Sequence, residues 1–150
     1  MVIKSNPSNP TDELLHDLSC VIQGDVRFDQ MSRALWSTDA SIYQIEPLGV
    51  VLPKNDEDVI AVVETAHKHN VSILPRGGGT SLAGSTVGQS IIMDFSRYMR
   101  NIKEVNVEEK WVRTQPGIIL DELNKQISHT GLLFAPDPST SNRGNVGGAL

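Results

Sequence analysis

Several features that would point to particular classes of protein are scarce in this 150-residue chain. It has a single cysteine, Cys20, so no disulfide can form within it, and we expect a reducing compartment such as the cytoplasm. No apolar run approaches the roughly 20 residues needed to span a bilayer, and the polar, proline-containing N-terminus is unlike a signal peptide. Basic residues number 13 against 18 acidic ones, a net charge of −5. That excess argues against nucleic-acid binding, which needs a basic face.

The chain has what a globular domain needs, with 39% hydrophobic and 21% charged residues. Residues 1–46 are predicted to form a helical lead-in. Thr11 is placed to cap a helix that continues to Ile22 and ends at Gly24. A short helical turn is expected near Met31 to Leu35. Cytoplasmic location, with peripheral attachment at the inner membrane left open, is the expectation for the protein.

From residue 47 onward, the patterning predicts an α+β domain that begins with a small parallel βαβ unit. Strands are expected at Val50–Leu52, Val71–Leu74 and Ser90–Phe95, and a helix capped by Asn55 lies between the first two. The apolar face of that helix is predicted to comprise Val59, Val63 and Ala66.

A more antiparallel unit is predicted to follow. The runs 102–107 and 110–115 alternate in polarity and favour a β-hairpin. A helix is expected from Gly117 to Thr130, stopped by Gly131, and then a short strand at Leu132–Phe134. The last segment, 136–148, is predicted to form a loop.

The most informative segment is Pro75 to Gly84, because an apolar strand leads directly into three consecutive glycines. Successive N–H groups on such a turn can form an anion-binding concavity, and Arg76 adds a charge with a geometry suited to phosphate. The dinucleotide fingerprint fails because Leu82 occupies its third glycine position, and the P-loop fails because Ser85 replaces its lysine. A pyrophosphate cradle between strands remains, with a flexible unliganded turn as its alternative.

A second loop, Pro136 to Gly148, combines prolines, a cluster of hydroxyls and a closing glycine pair. Together with the first loop and Asp94-Phe95-Ser96, it resembles the FAD-binding domain of the FAD-linked oxidase family. This is the PCMH-type, or vanillyl-alcohol-oxidase, fold. The sequences of the two loops most resemble those of the glycolate oxidase and D-lactate dehydrogenase flavoproteins. The segment Trp36 to Tyr43 also resembles the part of this family that precedes the domain. The resemblance implies that residues 47–150 are an FAD-binding domain, incomplete at its C-terminal side.

The resemblance also implies which residues hold FAD. In the first loop they are Pro75, Arg76, Gly77, Gly78, Gly79, Thr80, Ser81, Leu82, Gly84 and Ser85. In the second loop they are Pro138, Ser139, Thr140, Asn142, Gly147 and Gly148. Two departures stand out: Ser85 occurs where many relatives carry Gln, and Gly144-Asn145-Val146 replaces the usual Ala-Thr-Ile. A valine at position 78 is expected to fill the space of the diphosphate.

The implied function is the FAD-binding portion of an oxidoreductase that dehydrogenates a small 2-hydroxy acid, with catalytic residues beyond residue 150. The electron acceptor is left open between oxygen, a quinone and an iron–sulfur module. The alternative is a non-catalytic nucleotide-binding or interaction fragment, which needs the rest of the protein to hold FAD and self-associates through its incomplete surface. A third hypothesis is a reductase of the cell-wall UDP-sugar pathway, which has the same FAD fold, but neither loop has a sequence feature that points to it. No metal site is expected, because His67 and His69 do not face each other on a helix.

Overall fold

The computed structural model describes residues 10–150, which contain two β-sheets. The larger sheet holds four strands: β1 (Asp25–Arg27), β2 (Gly49–Leu52), β3 (Ile73–Arg76) and β4 (Ile91–Asp94). Their order is β1-β2-β4-β3. Both β2 and β3 pair in parallel with β4, and β1 pairs antiparallel with β2. The smaller sheet is an antiparallel hairpin of β5 (Ile102–Asn106) and β6 (Trp111–Thr114). The predicted fold class, a parallel unit followed by an antiparallel one, is confirmed.

Within residues 10–150, four α-helices connect and cover these strands: α1 (Pro10–Val21), α2 (Gln30–Leu35), α3 (Asp56–Lys68) and α4 (Leu120–Ile127). The predicted cap of α3 is confirmed, since the Asn55 side chain accepts a hydrogen bond from the backbone N–H of Asp58 at 2.8 Å. Helix α1 already includes Pro10, so Thr11 lies inside the helix and the prediction that it is the cap was wrong.

Three other local predictions differ from the structure. On α3, Val62 is fully buried and Val63 is 50% exposed, because the apolar face follows the spacing 59, 62 and 66, with Val62 and Ala66 buried and Val59 partly buried. Helix α4 begins at Leu120 rather than Gly117. The run Leu132–Phe134 forms no strand. Helix α4 is followed by a 3₁₀ turn at Ser128–Thr130, and Gly131 ends it with a left-handed φ of 73°.

The first hydrophobic core lies between the larger sheet and two helices. Every residue of β2 and of β4 is buried, as expected for the central strands of a sheet that is covered by helices. Helices α1 and α3 pack on this sheet through Leu14, Leu18, Val62 and Ala66, against Val51, Ile91 and Met93.

A buried carboxylate ties the lead-in to this core. Asp58 is 2% exposed and accepts hydrogen bonds from the backbone N–H groups of Gln23, Gly24 and Lys54 at 2.8–3.0 Å. Gly24 also passes so close to the carbonyl oxygen of Leu52 that a Cβ would collide with it. The chain between α1 and β1 is therefore fixed to the start of α3.

A second core lies beneath the hairpin and α4. Its buried residues are Ile118, Leu120, Leu123, Ile127 and Val146, and Ile102, Val105, Val112 and Phe134 pack against them. The segment 116–120 links the two cores, because Gly117 lies against the carbonyl oxygen of Phe95 and donates its N–H to Met99 at 2.8 Å. The site described next lies along this junction.

Candidate functional site: a cleft between two loops

The glycine loop, residues 77–86, leaves the carboxyl end of β3. Strand β3 ends at Arg76, whose carbonyl oxygen accepts a hydrogen bond from the N–H of Phe95 at the end of β4. The loop then returns to β4 without forming a helix. In open sheets with parallel strands, ligands bind outside the carboxyl ends of the strands, which is where this loop lies.

The closing loop, residues 136–149, returns from the second core and runs alongside residues 116–120. Leu120 donates its N–H to Gly144 at 3.0 Å, Val146 donates to Ile118 at 3.0 Å, and Gly147 donates to Pro116 at 2.9 Å. These bonds act like those of a short strand pair and hold the loop against the start of α4. Residues Val146–Gly148 form a 3₁₀ turn.

The two loops touch each other. A Cβ on Gly78 would collide with the carbonyl oxygen of Arg143, and a Cβ on Gly77 would lie 2.7 Å from Oδ1 of Asn145. Glycine is needed at both positions because the backbone of one loop packs directly against the other. The two loops lie against each other, as loops that share one site must, but the space freed at Gly78 is taken by the closing loop.

Between them the loops enclose a cleft of about 730 Å³. This volume lies within the usual range for small-molecule and cofactor sites. Predicted site residues that line it are Pro75, Gly77, Gly78, Gly79, Thr80, Ser81, Ser85, Pro138, Thr140 and Gly148. Lining residues that the sequence analysis did not select are Thr86, Leu120, Pro136, Asp137, Gly144, Asn145 and Ala149.

Five consecutive residues of the glycine loop, which line the cleft, have backbone donors that no described protein group accepts. These donors are the N–H groups of residues 77–81. Three of these residues are glycines, so the backbone is open to close approach by a ligand. A run of such N–H groups suits an anion with several oxygens.

The hydroxyl of Ser81 has a structural part in shaping the loop. It accepts hydrogen bonds from the backbone N–H groups of Ala83 and Ser85, both at 3.2 Å, and contacts the Ser85 hydroxyl at 3.0 Å. This is the local turn that serine hydroxyls commonly form. It turns the chain toward Gly84, which has a left-handed φ of 74°.

Asn145 provides a buried amide at the back of the cleft. It is 5% exposed, and its Nδ2 donates to the carbonyl oxygen of Gly117 at 2.5 Å. Its Oδ1 is buried and has no hydrogen-bond donor among the described residues. A buried acceptor without a partner is costly, so such atoms mark sites that a ligand can complete.

The guanidinium of Arg76 has partners other than the predicted phosphate. It donates to three carbonyl oxygens, those of Thr38 at 2.8 Å, Thr86 at 3.1 Å and Trp36 at 3.3 Å. Burial lowers the pKa of Arg76, and the charges of Asp94 and Asp39 partly oppose this. The side chain lies behind the glycine loop and not in the main cleft.

Other predicted residues also lie outside the main cleft. Leu82 is 82% exposed, and Gly84 packs against the ring of Tyr43. Gly147 packs on Pro116 and lines, with Arg76, a smaller neighbouring cavity of about 150 Å³. Ser139 and Asn142 belong to the closing loop but do not line the main cleft.

Across residues 10–150 no helix has both the length and the apolar character needed to cross a bilayer. In the same part of the chain, no group of three or more His, Cys, Asp or Glu side chains is placed to hold a metal ion.

The chain is similar to known proteins both in sequence and in structure. The sequence model of the FAD binding domain family matches residues 47–150. D-2-hydroxyglutarate dehydrogenase of Haemophilus influenzae is 39% identical over 92% of this chain, which spans 14% of that protein. The glycolate oxidase subunit GlcD of Bacillus subtilis is 31% identical over 86% of this chain, which spans 28% of that subunit. The solved structure of an alkyldihydroxyacetonephosphate synthase superposes with a TM-score of 0.82 and 26% identity, covering 97% of this chain and 30% of that one.

Proposed function

Because the chain belongs to the family of FAD binding domains, we propose that its cleft holds the FAD of an oxidoreductase that dehydrogenates a 2-hydroxy acid. The observation that carries the proposal is the row of unpaired N–H groups on residues 77–81, which line the cleft. A pyrophosphate needs donors of this kind, and no side chain on the three glycines obstructs its approach.

The chemistry of the cleft fits the cofactor. FAD carries a diphosphate, which only accepts hydrogen bonds, and also hydroxyl and N–H groups, which donate them. The unpaired N–H groups suit the former, and the buried Oδ1 of Asn145 is an acceptor for the latter. A cleft of about 730 Å³ accommodates part of a molecule of this size, and the remainder would be covered by other parts of the protein.

The residue assignments follow from this placement. Gly77 to Ser81 would bind the diphosphate through their amides. Pro138, Thr140 and Gly148 would line the path of the ribityl chain and the ring. Ser85 would contribute at the edge of the cleft. Five other residues are still predicted to contact FAD although they do not line the main cleft: Leu82, Gly84, Ser139, Asn142 and Gly147. Arg76 would act indirectly, by holding the glycine loop in place.

The activity itself would come from the complete protein. FAD, when bound, supplies the hydride acceptor, and the protein's part is to bind and orient it. The two similar curated proteins carry names that refer to 2-hydroxy acids, D-2-hydroxyglutarate and glycolate, and this supports the same substrate class here. Oxygen, a quinone or an iron–sulfur module would then take the electrons. The cytoplasmic location rests on the single cysteine and stays a prediction.

Two measurements on the complete protein test this function. The purified protein should show flavin absorption, and FAD added to the apoprotein should bind more tightly than riboflavin, because riboflavin has no diphosphate. A dye-reduction screen over D-2-hydroxyglutarate, glycolate and D-lactate should find at least one substrate. Absence of flavin binding would overturn the site, and flavin binding without any 2-hydroxy acid turnover would overturn the substrate class alone.

A further inference from the structure

Residues 36–43, called the strap here, lie outside the range that the family model matches and yet hold the glycine loop along its whole length. At the start of the loop, the Arg76 guanidinium donates to the carbonyl oxygens of Trp36 and Thr38. In the middle, Ala40 donates its N–H to the carbonyl oxygen of Gly79 at 3.0 Å.

The end of the loop is held by Asp39. Its Oδ2 accepts hydrogen bonds from the hydroxyl of Thr86 at 3.0 Å and from the N–H of Thr86 at 3.4 Å. Its Oδ1 accepts from the N–H of Ser41 at 2.9 Å, which fixes the turn of the strap itself. Burial raises the pKa of Asp39, but the hydrogen bonds from Ser41 and Thr86 outweigh this and lower it overall, so the carboxylate is ionised at neutral pH.

Two glycines with left-handed φ lie beside the strap or beside the side chain that reaches it. A Cβ on Gly79, with φ 64°, would lie 2.6 Å from the Arg76 guanidinium that reaches the strap. A Cβ on Gly84, with φ 74°, would lie 2.6 Å from the ring of Tyr43. These glycines therefore serve the contact with the strap as well as the turn of the loop.

The glycine loop needs such external support because its own sequence gives it little stiffness. Glycine loses more conformational freedom than any other residue when it is ordered, and a loop that must be ordered by its ligand binds that ligand more weakly. Within residues 77–86, the hydrogen bonds that shape the turn all involve the Ser81 hydroxyl.

We propose that the strap is a working part of the cofactor site, and that Asp39 is the positioning residue that holds the glycine loop ready to receive a diphosphate. Asp39 does not line the cleft and touches no ligand position, so it acts through Thr86. This inference rests on the proposed function, since it concerns the same loop and the same diphosphate group.

The test uses Asp39→Asn in the complete protein, with FAD and ADP as probes. Asparagine keeps one acceptor oxygen but places an NH₂ against either Ser41 or Thr86, so one attachment is lost. We expect the Kd for FAD and for ADP, which shares the diphosphate, to rise about tenfold. We also expect the visible circular dichroism of bound flavin to change, because the loop no longer holds one shape.

The matched control is Asp29→Asn, on the same lead-in. The carboxylate of Asp29 also accepts a backbone N–H, that of Ser32 at 2.9 Å, as the cap of α2, away from the cleft. Asparagine caps a helix about as well as aspartate does, so Asp29→Asn should change the melting temperature of the apoprotein little and leave the Kd for FAD unchanged. If Asp39→Asn does not fold, Thr86→Val removes only the hydroxyl that donates to Asp39, and Thr86→Ser restores it and should restore binding.

The outcomes separate the two proposals. A wild-type protein that binds neither FAD nor ADP would overturn the proposed function. A wild-type protein that binds both, alongside Asp39→Asn and Thr86→Val variants with wild-type Kd values, would overturn the strap inference alone. Equal losses of affinity in Asp29→Asn and Asp39→Asn would reduce Asp39 to a general stabilising residue and also overturn it.

Discussion

The residue types at this site predicted the kind of ligand better than they predicted which protein groups each residue contacts. Three glycines and an arginine after a strand indicated an anion site, and the glycines do line the cleft. Yet Gly78 packs on the backbone of Arg143, and Arg76 donates to carbonyl oxygens of the strap. Both partners are distant in sequence, and local patterns carry no information about such pairs. Asn145 was missed as a site residue for the same reason, because its role depends on a carbonyl group that only the fold brings near.

Gly78 gives the sharpest prediction at this scale. In Gly78→Ala the new methyl group collides with the carbonyl oxygen of Arg143, so the two loops must move apart. We expect the free energy of unfolding of the apoprotein to fall by about 1–3 kcal/mol, as in overpacked sites, and the affinity for FAD to fall at least tenfold. Urea denaturation and flavin titration measure the two effects.

Gly88→Ala is the control for this variant, because Gly88 lies on the same connection between β3 and β4. A Cβ at that position would make only ordinary contacts, 3.4 Å from Leu74 and 3.7 Å from Ser90. Loss of FAD by Gly78→Ala with an unchanged unfolding free energy would contradict the loop collision and support a direct clash with the diphosphate instead.

Hydrophobic periodicity predicted the location of a helix or strand correctly where the element is long enough to show the pattern. Helix α3, strand β2 and the β5–β6 hairpin lie where the pattern predicted them, within one or two residues. Strand β1 was missed because it has three residues and belongs to the sheet only through β2. The run Leu132–Phe134 has strand-like composition but pairs with no strand of the described residues, and composition alone does not make a strand.

The division into a lead-in (1–46) and an FAD-binding domain (47–150) stays a prediction. Asp58 allows a measurement of how much the attachment of the lead-in to α3 contributes to stability. Asp58→Asn replaces one carboxylate oxygen by an NH₂ that faces backbone donors, so α1 and β1 lose part of their anchor on α3. We expect a loss of about 2–3 kcal/mol in the free energy of unfolding, because these are buried bonds to a charged acceptor. Urea denaturation gives the value.

A neighbouring carboxylate on the same helix turn is the control for Asp58. Asp56 is exposed and pairs with Lys103 at 2.5 Å, and exposed ion pairs contribute little. Asp56→Asn should therefore cost less than about 1 kcal/mol. Similar losses in the two variants would mean that the anchor contributes nothing beyond ordinary surface electrostatics.

At the scale of the whole molecule, the cleft exists because two separate cores meet along residues 116–120. The glycine loop belongs to the first core, and the closing loop is fixed to the second through Gly144 and Val146. The resemblance to known flavoproteins predicted that both loops serve one ligand. The sequence patterns could not, since nothing local indicates that Gly117 holds the cores together by lying against Phe95.

This arrangement predicts that ligand binding stabilises the two loops together. Hydrogen exchange of the complete protein with and without FAD should show protection of the amides of residues 77–81, which are unpaired in the protein alone. Residues 144–148 should become more protected at the same FAD concentration, because the two loops contact each other and the closing loop would also contact the ligand. The hairpin β5–β6 lies outside the cleft and serves as the internal control, with unchanged exchange. Protection of the glycine loop alone would mean that the closing loop packs on it without sharing its ligand, and a two-loop cofactor site would then be wrong.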